Sequence, residues 1–319
     1  MANLDSSFLN FCEKVRLTKS KKENLIVSRE ANRDRIKKHF KEILKEEGPD
    51  FFQQGSFSFK TTVNPIDCEY DVDDGVYLNN LDDDFIDKTL PKTAHSWIID
   101  AVKDATNARV IDKPNCIRVV YAKDYHLDLP IYGKKDDKFY VANIKSNKWI
   151  ENDPKGFNDW FYAKLSIHSE QMRRNIINLK AWADFNSFNN ITGILIIVLV
   201  CENHLSILDR DDKSINETVK AISNYLKIYR SVIMPVQPFD NLLGKLSDND
   251  INNIITSFEN FSNIAQKAID ESDSEKAGDY WIKLLGDRFK IIKENINKNI
   301  QEKSISPIFL NNPSKPWGL

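Results

Sequence analysis

The stretch Tyr70-Asp71-Val72-Asp73-Asp74-Gly75-Val76-Tyr77-Leu78 decides how this chain is read. From residue 68 to 78 the sequence alternates with the period of a β-strand, so Asp71 and Asp73 share one face about 7 Å apart at their Cα atoms. Val72, Val76 and Leu78 point the other way, into a core. Two carboxylates this close repel unless cations lie between them, and hard oxygen ligands suit magnesium or manganese. Asp74 belongs to the opposite face and is left out of the metal set. An EF-hand reading fails because Gly75 comes one place early and Asp82 stands where the bidentate glutamate belongs. Asp82-Asp83-Asp84 reads as a solvated loop.

A second strand lies downstream, His126-Leu127-Asp128-Leu129-Pro130-Ile131. Leu127, Leu129 and Ile131 alternate inward, which sends Asp128 outward with His126. An aspartate framed by leucines needs a partner on its face, and a metal shared with Asp71 and Asp73 would supply it. Three carboxylates holding two metals about 3.5–4 Å apart can activate an attacking hydroxyl and stabilise a leaving pyrophosphate. Upstream, Gln54-Gly55-Ser56 follows a strand-like Phe51-Phe52-Gln53-Gln54. Glycine lets the backbone approach a bulky anion, and a serine hydroxyl with exposed amides donates to phosphate oxygens.

Around these motifs the first 45 or so residues read as one helix, with Ile36, Phe40, Ile43 and Leu44 as its apolar stripe and Gly48-Pro49 as its stop. Residues 93–106 make another helix, with Trp97, Ala101 and Ala105 on one stripe and Ile98 and Val102 beside it. Residues 116–121, 125–132 and 138–144 read as strands. After Asp153-Pro154 helical signals take over at 160–185, 191–204, 214–229, 249–270 and 273–300, followed by a Pro-rich tail at 311–319. The expected division is a mixed α/β lobe with the N-terminal helix at 1–155 and a helical lobe at 156–319.

Composition narrows the functional class. The 319 residues are 41% hydrophobic and 29% charged, ordinary for a soluble globular protein. A net charge of −2 lacks the basic excess of a genomic DNA binder. The cysteines Cys12, Cys68, Cys116 and Cys201 form no CxxC pair, as expected of reduced thiols in the cytoplasm. The longest apolar run, Gly193 to Cys201, is far below the ~20 residues that cross a bilayer, so no membrane association is expected. The basic residues between Arg33 and Lys45 surround an apolar stripe and read as the solvated face of a spine helix.

The ordered set QGSFSFKT, EYDVDDGVYL and HLDLPIY resembles the DNA polymerase β-like nucleotidyltransferases. More narrowly it resembles the bacterial cGAS/DncV-like nucleotidyltransferases (CD-NTases) of CBASS anti-phage signalling. The likeness continues through Trp149–Pro154, the Arg173-Arg174…Leu179-Lys180-Ala181-Trp182 helix and Met234–Leu242. It implies an α+β, bilobal fold with a long N-terminal spine helix, a mixed-sheet catalytic lobe and a C-terminal helical lobe. It also implies an enzyme that joins nucleoside triphosphates, ATP, GTP or others, into a cyclic di- or trinucleotide second messenger, with two Mg2+ ions or Mn2+ as cofactor. By the same resemblance Asp71, Asp73 and Asp128 are the catalytic metal ligands, and Gln54, Gly55 and Ser56 the loop over the triphosphate. Phe59 matches a base-stacking aromatic, Lys180 and Thr192 contact the triphosphate, and Arg118 reaches the acceptor nucleotide. Position supports Lys180 independently: it lies with Arg173, Ile177 and Asp184 beside the apolar face of Met172, Ile176, Leu179 and Ala183, where a lysine can reach into a cleft. A monomer needing no DNA is expected, with accessory regulatory proteins and a cyclic-nucleotide-sensing effector as possible partners. The same triad would equally serve a nucleotidyltransferase that modifies RNA ends or a protein, and a non-catalytic nucleotide binder would retain the fold without the chemistry.

Overall fold

The computed structural model describes residues 1–66, 70–78, 85–104, 108–121 and 125–292. The expectations for Cys68, Asp82-Asp83-Asp84, Ala105 and the tail at 311–319 lie outside the described residues.

Helices α1 (Asp5–Val15) and α2 (Lys19–His39) open the chain, and α2 runs into a π-helical turn at Phe40–Leu44. Strand β1 (Asp50–Gln54), the short α3 (Gly55–Ser58) and β2 (Tyr70–Tyr77) follow, then α4 (Phe85–Lys88) and α5 (Pro91–Val102). Five strands come next: β3 (Ala108–Asp112), β4 (Cys116–Tyr121), β5 (Tyr125–Lys135), β6 (Lys138–Asn143) and β7 (Lys148–Glu151). The remaining elements are helical: α6 (Pro154–Phe185), α7 (Gly193–Asn203), α8 (Asp211–Tyr229), α9 (Asp248–Asp270) and α10 (Ser274–Leu285).

The strands form one mixed sheet in the order β1-β2-β5-β4-β3, with β6 and β7 continuing from the far end of β5. The central pair β2–β5 is parallel and its neighbours are antiparallel. One face carries Val72, Val76, Ile117, Val119, Leu127, Leu129 and Ile131, all buried, and packs on Leu25, Ile36 and Phe40 from the first helices and Ala94, Ile98 and Val102 of α5. The buried line of α5 therefore runs through Ile98 and Val102 rather than Trp97 and Ala101. A separate core in the helical half joins Met172, Ile176 and Trp182 of α6 to α7, α8, α9 and α10.

Four sequence expectations are corrected. The first helix is two helices: the chain is extended at Arg16 and Thr18, and Thr18 caps α2 by accepting from the Lys21 amide at 3.3 Å. The π turn shifts the periodicity, so Ile43 is 67% exposed although Ile36 and Phe40 are fully buried. α1 packs in the helical half, where Phe8 meets Trp281 edge-on with ring centroids 4.7 Å apart, so the chain's start does not belong wholly to the sheet half. The last helix stops at Leu285 because Gly286 takes φ 75°. Strands β3 and β7 went unread because each is short and half-exposed. Among the described residues no helix is long and apolar enough to cross a membrane.

Candidate active site

Sheet register assembles the site. Gln54 pairs with Asp73, Asp73 with Asp128, and Asp128 with Arg118, so four strands place these side chains in one lateral row. Paired residues share a face, and this face is the one turned away from the apolar core. Two residues earlier on β2 and β5, Asp71 pairs with His126 on the same face. Ligand atoms of Asp71, His126 and Asp128 all lie within 4.8 Å of one another. Asp74 goes to the other face as its alternation demands. It is fully buried there, where Arg33 of α2 donates Nε–H to its Oδ2 at 2.7 Å and Nη2–H to its Oδ1 at 2.5 Å. Arg33 is thus a structural partner and not part of a solvated face.

Asp73 reaches over the turn that follows β1. Gly55 adopts φ 68°, and a Cβ built on it would stand 2.2 Å from Asp73 Oδ2. Glycine is needed here on two counts, backbone hand and space. The serine beside it is held from the opposite half: Lys180 of α6 donates from Nζ to Ser56 Oγ at 2.7 Å and to Thr61 Oγ1 at 3.2 Å. The first turn of α7 adjoins the same lysine, since a Cβ on Gly193 would come within 3.3 Å of Lys180 Cε. Three hydrogen-bond donors of different kinds therefore converge: a hydroxyl, an ammonium and the amides of a helix N-terminus.

The electrostatics suit a cation. Burial first, then the charges of Asp71 and Asp128, raise the Asp73 carboxyl well above the usual carboxylate range. Burial lowers the Lys180 ammonium to about 8, opposed by the attraction of Asp71 and Asp73. Clustered, desolvated carboxylates of this kind are relieved by a divalent ion, and the oxygen-rich donor set fits a hard one.

The remaining expected residues divide. Thr192 is exposed at the start of α7 and its Oγ1 accepts from the Leu195 amide at 3.3 Å, so its hydroxyl serves first as a helix cap. The Arg118 guanidinium grips Asp128 in a bidentate pair at 2.8 and 2.7 Å. Phe59 is 1% exposed and stacks on Phe161 with centroids 4.4 Å apart, with Phe157 edge-on to it, so the base-stacking role is corrected to core packing. Arg173 is buried and donates Nε–H to the Phe59 carbonyl at 2.9 Å, which ties the segment after Ser56 to the helical half.

Two clefts meet at the carboxylate row. One of about 490 Å³ opens on the Asp71 side and is lined by Ser56, Tyr70, Asp71, Lys180, Phe188 and Gly193. The other, about 370 Å³, opens on the Asp73 side between Gln54, Tyr132, Asp153, Met234 and Asp240. Sequence reasoning passed over Thr61, Tyr132 and Asp240 and gave His126 only an ordinary polar role. Their signal is positional: Tyr132 lies four residues beyond Asp128 on the same strand face, and its hydroxyl accepts from Gln54 Nε2 at 3.1 Å.

A family profile described as "Cyclic GMP-AMP synthase DncV-like, nucleotidyltransferase domain" matches residues 49–132, the span from β1 to the middle of β5. That stretch of the chain is similar to the DncV-like nucleotidyltransferase domain. Over 231 residues it is 25% identical to the cyclic GMP-AMP synthase of Vibrio cholerae serotype O1, an alignment covering 56% of this chain and 52% of that protein. The chain thus spans about half the length of this curated relative. The fold is shared more widely. The crystal structure of Vibrio cholerae DncV with the linear intermediate 5′ pppA(3′,5′)pG superposes with a TM-score of 0.75 at 19% identity, covering 90% of this chain and 97% of that one. The Bradyrhizobium diazoefficiens CD-NTase CdnG in complex with GTP gives 0.71 at 14% identity, covering 90% and 96%.

Proposed function

We propose that this protein condenses nucleoside triphosphates into a cyclic di- or trinucleotide messenger and releases pyrophosphate. One observation carries the reading: two separate clefts abut the carboxylate cluster, one at Asp71 and the other at Asp73. An enzyme joining two small nucleotides needs such a pair of compartments, with the reacting atoms between them. The cleft beside Lys180 takes the donor. Ser56, Lys180 and the first amides of α7 hold its triphosphate, and Thr192 stands at the rim of that helix end. The cleft beside Asp73, Gln54 and Tyr132 takes the acceptor and presents its ribose hydroxyl to the α-phosphorus. A bond forms from that oxygen to phosphorus as the α–β phosphoanhydride bond breaks, the hydroxyl's proton passes to solvent water, and pyrophosphate leaves toward Lys180. A second passage through the same steps closes the ring.

Asp71, Asp73 and Asp128 would hold two Mg2+ ions, which supply activation of the attacking hydroxyl and charge neutralisation of the leaving group. His126 stands close enough to orient one of these carboxylates, its Nε2 being 3.8 Å from Asp71 Oδ2. Arg118 keeps Asp128 aimed through its bidentate pair. The likeness to the synthases of Vibrio cholerae supports nucleotide substrates and a cyclic product. In this reading the protein is a cytoplasmic monomer that needs no duplex DNA, and a separate effector senses its product.

The test is incubation with four labelled ribonucleoside triphosphates and Mg2+, followed by mass spectrometry. A small phosphatase-resistant species is expected, lost in Asp71→Asn and Asp73→Asn. Label recovered on RNA or on protein would instead favour end-modification, and tight nucleotide binding with no product under any combination would sink the enzymatic reading.

A further inference from the structure

Lys155, the second residue of α6, is half-buried, yet among the described residues no carboxylate stands within ion-pair distance of it. The acid nearest in sequence, Asp153, is taken up as the helix cap and accepts from the Gly156 amide at 2.8 Å. The ammonium meets three aromatic rings instead. Its Nζ lies 4.2 Å from the ring centroid of Tyr77, 4.7 Å from that of Phe139 and 5.7 Å from that of Phe52. Drawing an ammonium out of water is costly unless something replaces the water, and aromatic faces do so in part. The cage lies on the sheet face that bears the aspartates. Alternation puts Tyr77 on the side of Asp71 and Asp73, and register brings Tyr132, opposite Tyr77, and Phe52, opposite Gly75, to that same face. Tyr77 is fully buried and its hydroxyl has no hydrogen-bond partner among the described residues, so the position uses its ring. That ring stacks on Tyr132 with centroids 4.7 Å apart and planes 16° from parallel. Tyr132 accepts from Gln54 Nε2 at 3.1 Å and donates to Asn152 Oδ1 at 3.4 Å, and all three residues line the smaller cleft.

We propose that Lys155 is a positioning residue for the acceptor nucleotide: by holding Tyr77 it fixes Tyr132, and through the Tyr132 hydroxyl it sets the Gln54 and Asn152 side chains. The assignment rests on the acceptor reading of this cleft given above. Two stacked rings alone can slide over each other at little cost, whereas an ammonium drawn to three rings at once has a single seat. A slide of about 1 Å at Tyr132 would carry the cleft wall with it, and a displacement of that size is enough to spoil the alignment of reacting groups.

The test is steady-state formation of the linear dinucleotide by the full chain with Mg2+, using substrates that can serve only one role. A 2′,3′-dideoxynucleoside triphosphate is donor only, having no ribose hydroxyl to attack with. An α,β-methylene nucleoside triphosphate is acceptor only, since its P–C–P bridge does not break. Lys155→Met keeps the stem and removes the charge; it should raise the acceptor KM about tenfold while the donor KM stays within about twofold. Lys155→Arg, a cation that also seats on aromatic faces, should bring the acceptor KM back to within about threefold of the parent. Tyr77→Leu should reproduce the Lys155→Met effect, and the double variant should be no worse than the more impaired single one, as expected of residues acting along one path. Thermal melts accompany each variant, because general loosening raises both KM values together and tracks the melting temperature. Equal rises in the two KM values, a Lys155→Met variant that matches the parent, or failure of Lys155→Arg to rescue overturns the role. A parent that yields no dinucleotide from any base pairing brings down the proposed function and this role with it, whereas an active parent with an unaffected Lys155→Met variant brings down this role alone.

Discussion

Gly55 shows how closely a single residue is constrained. Its positive φ costs any other residue about 1–2 kcal/mol, and the space a Cβ would need is held by Asp73. Gly55→Ala must therefore displace the carboxylate, and a misplacement on that scale lowers nucleotide incorporation about 100-fold or more with only a modest fall in melting temperature. Steady-state rates alongside a thermal melt check this. Lys180 makes the second residue-scale prediction. With its ammonium titrating at about 8 against the ordinary 10.5, it is charged at pH 7 and largely neutral at pH 9. The KM for the donor triphosphate should rise as pH climbs through 8, and Lys180→Arg should abolish that rise. The stability sign is opposite: the unfolded chain binds the extra proton between about 8 and 10.5, so this residue's contribution to folding improves across that window as pH increases. Measured KM that stays flat from pH 7 to 9 would dismiss the assigned role.

Single elements matter through the faces they offer. β2 carries Asp71 and Asp73 on one side and, on the other, Asp74, which is anchored by α2 through Arg33. Removing one partner of a buried pair strands the other charge. Arg33→Met should thus cost about 3–5 kcal/mol in urea unfolding, with most of the loss recovered in the double variant Arg33→Met/Asp74→Leu. A loss below 1 kcal/mol would show that Asp74 is solvated after all. The same α2 face shows what periodicity misses: a π turn of five residues exposes Ile43, which a strict 3.6-residue count puts with Ile36 and Phe40.

Across the whole molecule, the two halves are stitched at the glycine-serine turn. Phe59 leaves the turn to bury itself against Phe157 and Phe161, and Arg173 holds its carbonyl. Phe59→Ala should destabilise the protein by about 3–5 kcal/mol in chemical denaturation. Phe59→Leu should leave the order of preference among the four ribonucleotides unchanged. A variant that folds as well as the parent but chooses a different base would restore the stacking role.

Strand alternation around residues 71–73 and 126–131 was enough to place the three aspartates on one face, because the side-chain period of a strand is set by covalent geometry and needs no tertiary knowledge. The strand-turn position of Gly55 and the helical stripe of Lys180 were legible for the same local reason. Which residues meet across the halves was not. The pairing of Arg118 with Asp128, the burial of Phe59, the grip of Lys180 on Thr61 and the pair of clefts flanking the carboxylates all depend on how β4, α6 and α7 are brought to the sheet. Those contacts span up to 119 residues of chain. Only packing in three dimensions selects them, since local periodicity carries no information about which distant face a side chain will find.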